Sequence, residues 1–145
     1  MSWPSGILRG DLARITAVVV VIVLATAPWD LRDHPHVYKV SWIPFLSGIV
    51  RPVDVLANLA LYFPLGYVFP LRGRAGRLAA ACSAGLLLSL VMETTQVWSH
   101  VRFPSATDLL LNVVGCAAGA MIAIRRDRRR AAAAAPPGSR DAVSA

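Results

Sequence analysis

The sequence predicts an all-α integral membrane protein, a bundle of four helices with both termini in the cytoplasm. Three observations predict it. The chain of 145 residues is 56% apolar and only 16% charged, with a mean hydropathy of +0.56, whereas soluble domains run at roughly 45–50% apolar and about 25% charged. The apolar residues fall into four stretches, 12–29, 53–71, 78–98 and 106–124, each close to the roughly 20 residues that cross a hydrocarbon core about 30 Å thick. The basic residues gather on one side once four crossings are assumed.

Residues 1–11 form a short N-terminal segment ahead of helix 1, which spans 12–29. Arg9, Arg14 and the small residues Ala25-Thr26-Ala27 give this helix the outline of a secretory signal. Pro28 directly after the small-residue site makes a poor substrate for a signal peptidase, so the helix is expected to stay as an anchor. Residues 37–50 are apolar but too short to span, and Pro44 and Gly48 interrupt them; an interfacial or re-entrant segment is expected. Pro52 and Asp54 suit the first turn of helix 2, 53–71. Helix 3 covers 78–98. Helix 4, 106–124, opens on Ser105-Ala106-Thr107-Asp108, a capping box with Ser105 as N-cap. The run RRDRRR at 125–130 then reads as a stop-transfer signal and a contact for anionic lipid. Residues 12–124 thus form the transmembrane domain, and 125–145, rich in Arg, Ala and Pro, a basic disordered cytoplasmic tail.

Orientation follows from charge. Arg9, Arg14, Arg72, Arg74, Arg77, Arg125, Arg126, Arg128, Arg129, Arg130 and Arg140 fall on the side of the termini, against Arg32, Lys39, Arg51 and Arg102 on the other. By the positive-inside rule the termini are cytoplasmic, with Trp29 and Trp98 at the outer surface. The net charge of +7 therefore sits at helix ends, and no nucleic-acid module is visible. Cys82 and Cys116, both inside helices, read as small packing residues rather than a disulfide.

The informative residues are the polar ones inside the spans: Asp54, Asn58, Glu93, Gln96, Asp108 and Asn112. An ionisable group at mid-membrane costs roughly 2.5–3.5 kcal/mol on insertion scales, so such groups face a protein interior or a wet cavity. Under the four-helix topology all six lie at the outer ends of their helices, level with Arg51 and Arg102, which predicts an acidic, amide-rich pocket opening outward. At 100° per residue, Asp108, Asn112, Gly115 and Gly119 form one stripe, polar at one end and suited to close helix packing at the other. Cys82, Gly85, Ser89, Glu93 and Gln96 likewise share a face that Leu87, Leu90, Val91 and Val97 avoid. Helix capping alone accounts for Asp54 and Asp108. It does not account for Asn58 and Asn112 one turn deeper, nor for Glu93 near the negative end of a helix dipole. The pattern Asp-x-x-x-Asn at 54/58 and 108/112, each preceded by an Arg and a Pro, reads as a parallel repeat of two hairpins.

The blocks from Asp54 and Asn58 through Pro64 and Gly66, and from Glu93 and Gln96 through Arg102, Asp108, Asn112, Gly115 and Gly119, resemble the VanZ-like family, as does Trp42-Ile43-Pro44-Phe45. The family is named after a teicoplanin-resistance accessory protein. The resemblance covers helices 2 to 4; helix 1 and the tail carry no matching motif. It implies a multi-pass protein of the bacterial cytoplasmic membrane and, for the founder, lower sensitivity to a lipid-tailed glycopeptide. It implies no settled biochemical activity.

Binding is the favoured function. Asp54, Asn58, Glu93, Gln96, Arg102, Asp108 and Asn112 would hold a lipid headgroup or part of a cell-wall precursor, with arginine available to phosphate. Pro64, Gly66, Gly115 and Gly119 would serve helix packing. The alternatives are an acid/base enzyme on a lipid-linked substrate, using carboxylates driven to different pKa values, and a purely structural membrane subunit. No nucleophile motif, phosphate loop or metal-ligand spacing accompanies the carboxylates, and no polar route for ions crosses the spans. Asp33, His34, His36 and His100 lie in the outer loops without a recognised ligand spacing, so neither metal nor cofactor is expected.

Overall fold

The computed structural model describes residues 5–27, 30–46, 51–69 and 74–134. It contains four α-helices, α1 (Ser5–Thr26), α2 (Pro52–Val68), α3 (Arg74–Gln96) and α4 (Ala106–Ala134), and one 3-10 turn at Val37–Lys39. Among the described residues there is no strand, only isolated bridges between Leu31 and Ser99 and between Ser41 and Ser105. The all-α bundle expected from the sequence is therefore present, and α3 and α4 are long and apolar enough to cross a membrane.

The helix ends differ from expectation for local reasons. α2 stops at Val68 rather than 71, because Phe69 precedes Pro70 and adopts an extended conformation (φ −60°, ψ 125°), as steric clash with a following proline requires. α1 begins at Ser5, inside the segment read as a non-helical N-terminus. α3 gives way after Gln96 to tighter turns in which Val97 N–H donates to the Thr94 carbonyl and Trp98 N–H to that of Thr95. α4 runs to Ala134, so residues 125–134 of the expected disordered tail are helical. Arg and Ala are strong helix formers, and Pro136 lies just beyond. The remainder of that tail and Trp29 lie outside the described residues.

α4 is the centre of the bundle, packed against both α2 and α3, while α1 lies against α2. Glycine makes this approach possible. A Cβ on Gly115 would stand 2.5 Å from the Leu59 carbonyl oxygen; one on Gly119 would collide with the Phe63 carbonyl, and one on Gly66 with that of Cys116. α2 and α4 thus touch backbone to backbone, the arrangement by which helices gain van der Waals contact where no hydrophobic driving force separates them from lipid. Pro64 sits within α2 two residues before this contact, where it removes one rung of the helical ladder. Ile22, Tyr62, Leu65 and Cys116 form the fully enclosed core, and the Cys116 thiol donates to the Tyr62 carbonyl at 3.4 Å. On α3, Gly85, Ser89 and Gln96 are buried whereas Leu87, Leu90 and Val91 are exposed.

The 30–46 segment lies along the α3–α4 turn. Arg32 N–H donates to the Trp98 carbonyl, His36 N–H to Val97 and Ser41 N–H to Pro104, and Ala106 N–H returns a bond to Ser41. Phe45, at a positive φ of 62°, donates its N–H to Thr107 Oγ1 at 2.9 Å. Asp30 closes the arrangement, accepting from Ser99 Oγ at 2.9 Å and from His100 N–H at 3.1 Å. The Ser99 bond above all holds its carboxyl pKa below the ordinary value. Asp30→Ala is expected to speed hydrogen exchange at the His100 amide while the central amides of α4 exchange as before.

Candidate functional site

The start of α2, the end of α3 and the start of α4 enclose a cleft of about 360 Å³. Asp54, Asn58, Glu93, Gln96, Arg102, Asp108 and Asn112 all line it, joined by Arg51, Tyr62 and the aromatic ring of Phe103. Both Asp-x-x-x-Asn pairs reach it, one from α2 and the other from α4.

Each polar group is placed by its element. Pro52 at the first position of α2 sets that helix going, with Arg51 as N-cap. The Arg51 guanidinium grips Asp54 through two bonds of 2.8 and 2.9 Å. That fork raises the Arg51 pKa above its ordinary value. The pair is exposed, so the guanidinium is shared between Asp54 and solvent at the rim of the cleft. Ser105 caps α4, its Oγ accepting from Thr107 N–H at 3.2 Å and Asp108 N–H at 3.4 Å. The reciprocal half of a capping box is taken over by another helix: Ser105 N–H donates to Glu93 Oε2 at 2.7 Å. Asp108 is thereby released from the capping role the sequence suggests for it. Its carboxylate meets the Asn58 side chain and the cationic field of Arg102, with Asp54 as a like-charged neighbour. Arg102 acts on Glu93 too, and its Nη1 donates to the Ala25 carbonyl near the end of α1 at 3.1 Å.

The floor of the cleft is incompletely satisfied. Asn112 Nδ2 donates to Ser89 Oγ at 2.9 Å, but Asn112 Oδ1 is buried with no partner among the described residues. The enclosed Tyr62 hydroxyl lies near Ser89 without a well-formed hydrogen bond. Buried polar atoms are paired in the great majority of proteins, and here the cleft wall presents an acceptor, Asn112 Oδ1, and a hydroxyl, that of Tyr62, without a partner among the described residues.

A second, larger cavity of about 950 Å³ occupies the opposite end, among Arg14, Arg74, Arg77, Arg126, Arg128 and Arg130. Arg77 is tied to Asp127 at 2.6 Å and to the Tyr67 carbonyl at 3.0 Å, and Arg126 donates to the Tyr67 hydroxyl. Asp11 and Asp127 also line this cavity, so it mixes both signs of charge with arginine in excess, but unlike the first it has no side-chain amide among its lining residues.

A family model described as VanZ/LLP1 matches residues 12–127. The chain belongs to the VanZ/LLP1 family. No curated protein and no solved structure matches it. The VanZ/LLP1 match covers α2 and α3 and most of α1 and α4, so it reaches α1 although that helix carries no motif of the family legible in the sequence. With α3 and α4 able to span a bilayer, this VanZ/LLP1 chain is a membrane protein.

One grouping, set aside in the sequence for want of a ligand spacing, comes together in the structure. His34 and His36 meet His100 from across the α3–α4 turn, and His36 Nε2 lies 2.7 Å from His100 Nε2. Burial, followed by the nearby His100, Lys39 and His34, pushes the His36 imidazole pKa below its ordinary value. The only available signal was that the chain's three histidines all fall in the two segments expected on one side of the membrane.

Proposed function

We propose that this VanZ/LLP1 protein is a multi-pass component of the bacterial cytoplasmic membrane, both termini inside, whose cleft opens outward and binds a polar envelope component. The ligand class is a lipid headgroup or the headgroup end of a lipid-linked cell-wall precursor. The observation that carries the reading is the convergence of Asp54, Asn58, Glu93, Gln96, Arg102, Asp108 and Asn112 on one cleft beside the unpartnered Asn112 Oδ1. Carboxylates accept from ammonium and hydroxyl groups, amides bond either way, and guanidinium takes phosphate oxygens, so the set suits a headgroup carrying both signs of charge. Altered sensitivity to a lipid-tailed glycopeptide would follow if that drug competes for the same component. The arginine cavity at the other end would rest against anionic lipid in the inner leaflet.

Native mass spectrometry of the detergent-purified chain with phosphatidylethanolamine, phosphatidylglycerol and undecaprenyl phosphate tests this. One of the three is expected to bind at a single site and to be lost in Asn112→Leu. Equal retention of all three by Asn112→Leu and wild type would sink the reading. Cysteine introduced at position 100 and labelled from outside intact cells tests the orientation; labelling only after lysis would reverse it.

A further inference from the structure

We propose that His34, His36 and His100 form a binding site for a divalent late first-row metal ion, Zn²⁺ being the one it suits best. The chain has three histidines in all, and their ligating atoms lie within 4.8 Å of one another although His36 and His100 are 64 residues apart. The rings pack edge to face, with centroids 4.3 Å apart for His36 and His100, 5.0 Å for His34 and His36, and 5.3 Å for His34 and His100.

The backbone beneath them is fixed by bonds that do not involve the rings. Asp30 holds His100 N–H, and His36 N–H is held by the Val97 carbonyl. The site is thus set by the loops, leaving the side chains to adjust. Two imidazole nitrogens on a tetrahedral zinc at about 2.0–2.1 Å stand roughly 3.3 Å apart. The 2.7 Å contact between His36 and His100 must therefore open by about 0.6 Å, as the proton shared between the two Nε2 atoms gives way to the metal. His34 must close inward, and both His34 and His100 are exposed to solvent.

A supporting partner is already in place. His36 Nδ1 lies 3.1 Å from the Tyr38 hydroxyl; with the proton on Nδ1, that bond leaves the Nε2 lone pair directed at the metal. Lys39, the nearest competing cation, has its ammonium drawn over the Phe103 ring at 4.3 Å. Three neutral imidazoles with one face open to solvent leave a fourth position for water. Metal there would staple the 30–46 segment to the α3–α4 turn that carries Arg102. The inference stands apart from the headgroup reading, since none of its ligands lines the cleft.

The test uses the full chain, purified without a histidine tag, stripped with chelator and titrated with Zn²⁺ against a fluorescent zinc chelator. One Zn²⁺ per chain is expected. His36→Ala and His100→Ala should each weaken it by about 100-fold or more, and Tyr38→Phe, which removes only the outer partner, by about 10-fold. His34→Ala, whose ring is exposed, is the variant that leaves folding intact and should weaken binding comparably. Substituting Co²⁺ should give the visible bands of a nitrogen-ligated tetrahedral ion. Binding of equal strength in wild type and His34→Ala, or no visible bands with Co²⁺, would overturn the proposal.

Discussion

Gly119→Leu and Gly66→Leu are expected to remove the folded protein from the membrane fraction, whereas Gly76→Ala will be tolerated or mildly stabilising. The difference lies in what the new side chain meets. At 119 and 66 the obstacle is the backbone carbonyl of the facing helix, Phe63 in one case and Cys116 in the other. A carbonyl cannot rotate aside as a side chain can, so relief requires α2 and α4 to separate along their main contact. Overpacking a close-fitting interior costs about 1–3 kcal/mol where side chains can rearrange; here the cost should exceed about 3 kcal/mol, the upper end of that range. At Gly76 nothing lies within 4 Å, and alanine in a helix gains about 0.5–1 kcal/mol over glycine. Thermal unfolding in detergent with matched expression levels measures both. Gly119→Leu unfolding within about 1 kcal/mol of Gly76→Ala would show that the two helices do not meet backbone to backbone.

The second large effect separates the roles of two carboxylates. Glu93→Ala removes the acceptor that Ser105 N–H has among the described residues at the start of α4, and a partly buried donor left without its partner costs about 1–3 kcal/mol. Glu93→Gln keeps an oxygen at that place and should recover most of the loss. Asp108→Asn leaves the Ser105 cap untouched, because the bond there is made by the Asp108 amide, and should cost only the few tenths to about 1 kcal/mol of a first-turn charge. Headgroup binding divides differently: Glu93→Gln and Asp108→Asn should both weaken it by about 10- to 100-fold, the worth of one hydrogen bond to a charged group. Melting temperature and binding measured on the same preparations read out the two axes. Binding unchanged in Asp108→Asn would identify its carboxylate as a helix-start residue alone.

Much of this architecture was legible because lipid constrains sequence so strongly. Apolar runs near 20 residues leave few options beyond helices, and the start of α4 at Ala106 could be read from Ser105. The end of α4 could not. Arginines that terminate a span do not terminate a helix, since Arg is a good helix former wherever its charge is placed. The members of the cleft were legible for a related reason: six polar residues stand out against apolar surroundings, and helix direction puts them at one level. Their bonding was not, because it depends on which neighbour arrives first. Glu93 supplies the bond that local pattern assigned to Asp108, and Arg51 turns to Asp54. The three histidines could be placed on one side of the membrane from the sequence, but their meeting could not be read from it. They sit in loops without periodicity, and only the hydrogen bonds between the 30–46 segment and the α3–α4 turn bring them together.

The bond from Arg102 to the carbonyl of Ala25 gives α1 a part in the chemistry of a cleft to which it lends no side chain. Free carbonyls at a helix C-terminus carry partial negative charge and hold a guanidinium where it would not otherwise rest. Without that carbonyl every carboxylate of the recess would keep its seat, while the guanidinium facing Glu93 and Asp108 would lose one of the contacts that orient it.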